Sequence, residues 1–333
     1  MPPFDMIVGM FLKAVLPAAA TAAILFFLIE YLGGKESVSA AAALALAAGV
    51  GLGFWLCDTV ELESAVSKWN QLPWAALGAL GVGVSVRLPG VPAAVAWLMR
   101  AACAGVIAWL VIPPQTTAEG WWFVPAFAAI IFAEWAFLEH LAARPPDGSI
   151  AAALALSALT AGVVLVQAGS LRLMEANVVQ AAALSGLAVV AWWRRSDLGA
   201  AVPGAAVLLP GILLFGQQAT FTDISWWAFL LAAAAPLTLV VTLPFRTLGG
   251  IRLALLRLAV LLPPLIAALI LAGPVESEEH DDSKDQFHSH GVLNTAPLNV
   301  AGQRGAIISA FQRSHSACSF CTSSGRSADR SFC

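Results

Sequence analysis

Residues 150–168 read IAAALALSALTAGVVLVQA. No side chain in this stretch carries a charge, and Gly162 is its one weak helix former. A helix needs about 20 mostly apolar residues to cross a hydrocarbon core of about 30 Å, and this run has that length. A soluble helix of the same length would show a polar stripe every 3.6 residues, and a strand would have ended in turn residues much sooner. The segment is a membrane-spanning helix, and the fold follows from how often its pattern recurs.

Working outward, the same signature appears on both sides. The expected spans are 7–31, 38–57, 72–86, 92–112, 121–142, 150–168, 176–193, 200–216, 226–243 and 251–272, about ten in all. The third is short and glycine-rich, with Gly78, Gly81 and Gly83. Turn chemistry separates the spans: Gly33-Gly34-Lys35, Leu88-Pro89-Gly90, residues 144–148 (RPPDG) and residues 247–250 (TLGG). Only 58–71 is long enough to be an element of its own, and Val60, Leu62, Val66 and Trp69 among its acidic residues suit a helix lying at the membrane surface. The expected fold class is all-α, a polytopic integral membrane helical bundle.

Composition agrees. The chain is 59% hydrophobic and 11% charged, with a mean hydropathy of +0.83, whereas a soluble domain carries about 25% charged residues to cover its surface. Lipid, not water, is the solvent such a chain suits, because charges are costly at the bilayer centre. A net charge of -3 with no basic run or aromatic platform excludes a nucleic-acid partner. The first span carries Asp5 and no Lys or Arg ahead of a long apolar run, so it reads as a helix that stays rather than a secretory leader.

Orientation follows from Lys and Arg in the short loops. Lys35, Arg87, Arg144, Arg194, Arg195, Arg246 and Arg252 fall in the odd-numbered loops, against Lys68 and Arg172 in the even ones. The positive-inside rule places the odd loops in the cytoplasm and both termini outside, in a cytoplasmic-type cell membrane. Trp121-Trp122, Trp192-Trp193 and Trp226-Trp227 mark span edges, where amphipathic rings settle at the headgroups. The outer loops 115–122 (QTTAEGWW) and 217–227 (QQATFTDISWW) resemble each other, a likeness that the ordinary polarity of loops and the Trp belt also explain.

Residues 1–273 thus form the bundle, and 274–333 a polar tail whose Ser, Arg and Cys bias departs from the Ala, Leu and Val style of the body. The tail is expected to be disordered. Its His280, His288, His290 and the Cys318-Ser-Phe-Cys321 spacing are soft-ligand types, yet one Cys pair without a second is a weak metal signal, and no metal is assigned.

Ionisable groups at membrane depth are the first place to look for function. Arg100 and Glu134 lie about eight to nine residues from the inner ends of adjacent antiparallel spans, roughly 12 to 14 Å deep, and are expected to pair. Such a pair either staples two helices or lines a polar cavity, Arg100 attracting an anionic group and Glu134 taking a proton or cation. Lys13 and Arg257 are expected to snorkel, Ser157, Thr160 and Gln180 to bond between helices, and Glu139 and His140 to be solvated at the inner edge. Pro203 and Pro210, Pro236, and Pro263-Pro264 interrupt the last three spans. A short span eight ending in Gly216-Gln217-Gln218 points to a discontinuous helix near a substrate path, so Arg100, Glu134, Gln217 and Gln218 are the candidate substrate-binding residues.

No zinc-protease, serine-hydrolase, phosphate-loop or dinucleotide motif is present, and no cofactor is implied. The expected function is a secondary transporter or permease for a small molecule or ion. A non-transporting scaffold or complex subunit is the alternative, and a membrane-embedded enzyme using Glu30, Glu139 and His140 comes behind both.

Overall fold

In the computed structural model the chain is helical, with no strand among the described residues, which are 9, 11–33, 38–57, 68–112, 121–142, 148–218, 224–245, 248 and 250–273. A π-helical turn, Phe11–Val15, leads into α1 (Leu16–Gly33), followed by α2 (Val38–Leu56). A 3-10 turn, Lys68–Gln71, opens α3 (Leu72–Ser85), with Pro73 in its first turn, where a missing N–H costs nothing. Then come α4 (Ala93–Val111), α5 (Phe123–Ala142), α6 (Ser149–Gln167), α7 (Leu171–Arg194), α8 (Val202–Gln218), α9 (Trp226–Ala234) with a 3-10 continuation over Ala235–Phe245, and α10 (Ile251–Ala272). The chain is a polytopic membrane helical bundle of about ten helices. Among the described residues, eight spans are long and apolar enough to cross a bilayer; α8, with 17 residues, and α3, with 14, are shorter.

Every expected span is present, with shifted ends. The seventh begins at Leu171 rather than 176, because Arg172 and Glu175 continue the helix past its apolar part. The tail after Gly273, the segment 58–67 and most of the two Trp-flanked outer loops lie outside the described residues.

Small residues decide the packing. Without water between helices, association relies on close van der Waals contact, which Ala and Gly permit. The α1, α2 and α7 trio is built this way: Ala18, Ala22, Ala41, Ala45 and Ala183 are fully buried, and a Cβ on Gly186 would overlap the Ala19 carbonyl. α8 is the innermost helix, buried without interruption from Val202 to Leu213. It packs against α3, α5, α6, α7 and α9. The Trp pairs at positions 121, 122, 192, 193, 226 and 227 are all exposed on the outside of the bundle, as rings at a membrane boundary should be.

The proline-bearing spans differ from expectation. The break foreseen in span eight is absent there, since α8 runs continuously across Pro210. Span nine is the one that changes type, turning from α to 3-10 at Ala235, immediately before Pro236. Pro236 removes the N–H that would have bonded four residues back, and the tighter i to i+3 pattern takes over. The hydroxyls of Thr238 and Thr242 then donate to the carbonyls of Ala235 and Leu239, both at 2.7 Å.

Candidate functional site

The ends of α4 and α5 that the positive-inside rule would place inside, with the loops 86–92 and 195–201, carry a four-charge network. Glu139, one turn from the end of α5, is its centre. Arg100 donates to both of its oxygens, Nε to Oε2 and Nη2 to Oε1, each at 3.0 Å. Arg87 donates from Nε to Oε1 at 2.9 Å, and Trp135, one turn earlier on α5, donates from its indole to Oε2 at 2.8 Å. Arg87 also pairs with Asp197, whose other oxygen accepts the Gly199 N–H at 2.7 Å. A Cβ on Gly199 would fall on the Arg87 guanidinium, so glycine there is what lets the cation in. Burial works against the charge of Arg87, yet Asp197 and then Glu139 outweigh it and hold its pKa above the ordinary value.

Two cations meet two anions, so the cluster is neutral as a set, which makes partial burial tolerable. It joins chain segments far apart in sequence. A smaller cluster lies at the same end, where Glu30 of α1 accepts the Ser196 hydroxyl at 2.7 Å and faces Arg194 of α7 at 3.6 Å.

Arg100 and Glu134 do not pair. Facing decides: five residues separate Glu134 from Glu139, which turns the two side chains about 140° apart around α5. The stripe containing Phe132 and Glu139 faces α4, as the Trp97–Phe132 ring contact at 5.7 Å shows. Arg100 therefore reaches along its own helix toward the inner end and takes Glu139.

Glu134 instead belongs to the stripe of Phe127, Ile131, Leu138 and Leu141, all buried. Its exposure is 0%, and neither carboxyl oxygen has a hydrogen-bond partner. α5 packs there against α8 and against the 3-10 segment of span nine. By helical rise Glu134 and Pro210 each sit about 12 Å from the inner ends of their helices. Gln217 and Gln218 are exposed at the opposite end of α8, and the structure brings neither beside Glu134.

Other expectations resolve individually. Lys13 is exposed on the π-helical turn. Arg257 does not snorkel along lipid; it is 2% exposed, inserted between the end of α5 and the start of α6, where it donates to the Ser149 hydroxyl and to the Leu141 carbonyl. Gln180 bonds between helices, to the Ala205 carbonyl at 3.4 Å, whereas the Ser157 hydroxyl folds back onto Ala153 of its own helix.

Reading the sequence missed Glu139, Arg87, Asp197 and Trp135 as a group. The available signal was periodicity: Glu139 lies four residues beyond Trp135 and seven beyond Phe132, on one face. Among the described residues no three His, Cys, Asp or Glu side chains gather as a metal site.

These features define a class, the multi-pass α-helical membrane proteins, with ionic clusters at one end and, among the described residues, a fully buried acid, Glu134, with neither oxygen hydrogen-bonded. Going from class to a particular protein, no protein-family model and no curated protein sequence matches the chain.

Proposed function

We propose that the protein is a secondary transporter or permease for a small solute, with the Glu134 carboxyl as its central group. The observation that carries this reading is a fully buried acid with neither oxygen bonded, on a helix packed against two proline-bearing spans, of which span nine changes from α to 3-10. An ionised carboxylate in such surroundings costs several kcal/mol, so the group is stable there only with a proton or a cation bound. Binding and release of that species, as access alternates between the two sides, is the elementary step of a coupled carrier. Non-α backbone in span nine supports the same reading, because a 3-10 stretch inside a helix often marks a hinge. On this reading Arg100 serves the inner ionic cluster that closes one end, and Gln217 and Gln218 face solute at the other.

Purified protein in sealed vesicles loaded with a pH-sensitive dye tests the proposal. A panel of small solutes, applied with and without a proton or sodium gradient, should reveal a flux in the wild type that Glu134→Gln abolishes without loss of fold. Flux unchanged by Glu134→Gln would remove the acid from the mechanism.

The second reading, a non-transporting scaffold or complex subunit, is favoured by the Ala- and Leu-filled interior and by a charge cluster well suited to clamping helices. It expects no flux for any solute and partners that stay bound through mild detergent.

A further inference from the structure

One buried stripe of α7 runs through Leu173, Asn177, Gln180, Leu184 and Leu187, at the three- and four-residue spacing of a single helix face. Two members of that stripe are amides, and both are 0% exposed. Gln180 donates from Nε2 to the Ala205 carbonyl of α8 at 3.4 Å, while its Oε1 has no hydrogen-bond partner among the described residues. Asn177 has none at either Nδ2 or Oδ1. The two side chains start about 5 to 6 Å apart, as residues three apart on a helix do.

Neighbouring contacts fix where Asn177 lies. Met174 and Val178 face α6, since a Cβ on Gly162 of α6 would meet both at 3.6 to 3.7 Å. Gln180 faces α8. Asn177 falls about 60° around α7 from Gln180 on one side and about 60° from Met174 on the other, at the seam where α6, α7 and α8 pack on one another. The Gly162 distances are those of ordinary van der Waals contact, so this buried glycine leaves room for one methyl in the α6–α7 contact beside the seam. A water, with a share of liquid volume of about 30 Å³, is of similar size.

The three unbonded atoms select the ligand. A cation suits the two oxygens but meets the hydrogens of Nδ2; an anion suits Nδ2 but meets the lone pairs of both oxygens. Both amides are closed to solvent, which excludes a large solute. Water donates and accepts alike, and a buried water typically makes about three hydrogen bonds to groups of this kind.

We infer that the α6–α7–α8 seam is a binding site for ordered water, which donates to Gln180 Oε1 and accepts from Asn177 Nδ2, with Asn177 Oδ1 taking a further water hydrogen. Water-mediated bonds of this kind are nearly as good as direct ones, so the stripe keeps two amides at full burial without stranding them. The site rests on helix packing alone and is independent of the role of Glu134.

Electron cryo-microscopy of the full-length protein in lipid nanodiscs, at a resolution that shows ordered water, tests the inference. The wild type should show a peak within hydrogen-bond distance of both Asn177 and Gln180, and the peak should persist when sodium and potassium salts are replaced by choline. Asn177→Leu, similar in size, should lose the peak and melt about 2 to 4 °C below wild type, because the bridge is gone and the Gln180 Oε1 is stranded. A truly unbonded Asn177 would give the opposite sign, since its removal would relieve a buried polar group. The wild-type map decides the question even if the variant does not fold. A seam without a peak, a peak that vanishes with the alkali cations, an Asn177 bonded directly to a protein group, or an Asn177→Leu protein that melts at or above wild type overturns the inference.

Discussion

Arg100 of α4 grips both oxygens of Glu139 of α5, Nε on one and Nη2 on the other, each at 3.0 Å. A two-pronged pair of this kind fixes direction as well as distance, and a lysine cannot reproduce it. It locks the register of two antiparallel helices at their inner ends, and Arg87 extends the lock to the loop that carries Asp197.

Removing the shared anion leaves two partly buried guanidiniums with one carboxylate between them. Glu139→Gln should destabilise the protein by about 3 kcal/mol. Arg100→Lys should cost less, about 1 kcal/mol, because charge remains while the second hydrogen bond is lost. Thermal unfolding in detergent, followed by helical circular dichroism, measures both.

Gly199 and Arg87 should be coupled. Gly199→Ala places a methyl on the guanidinium and displaces it from Asp197, so it should lower the melting temperature in the wild type. In an Arg87→Ala background the same substitution should have little effect. Additive losses in the double variant would show that the overlap is relieved elsewhere.

Two glycines should respond oppositely to alanine. Gly186→Ala drives a methyl into the Ala19 carbonyl of α1, a backbone atom that cannot step aside, and should cost about 2 kcal/mol. Gly78→Ala meets open space and should be neutral or stabilising by up to about 1 kcal/mol through better helix propensity. Equal effects would mean that the α1–α7 contact is looser than it stands here.

Glu134 should separate stability from activity. Glu134→Leu removes an unsatisfied buried acid and should raise stability by about 1 to 3 kcal/mol. Under the transport proposal the same variant has no flux. A destabilised Glu134→Leu protein would indicate that the carboxyl has a structural partner.

Orientation is open to a direct test. Arg195 and Gln217 are both exposed and lie at opposite ends of the bundle. In right-side-out cells a membrane-impermeant maleimide should label Gln217→Cys and spare Arg195→Cys, following the positive-inside assignment. The reverse pattern would invert the topology.

The number and positions of the helices were legible in the sequence because a membrane span is a local property: length and hydropathy within one window decide it, and 150–168 and 251–272 need no knowledge of their neighbours. The places of Arg100 and Glu134 along their own helices were legible too, since rise per residue is fixed. Which side chains face each other was not. Glu134 and Glu139 are nearly equivalent in composition and differ by about 140° in direction, and only the packing of α5 on α4 and α8 says which of them meets a cation. Likewise, hydropathy registers Pro210 and Pro236 alike, whereas the tertiary structure keeps α8 continuous through the first and switches span nine to a 3-10 helix before the second. Partition into lipid is summed along the chain and can be read from it; ion pairing and helix type depend on what lies across an interface, which the order of residues alone does not specify.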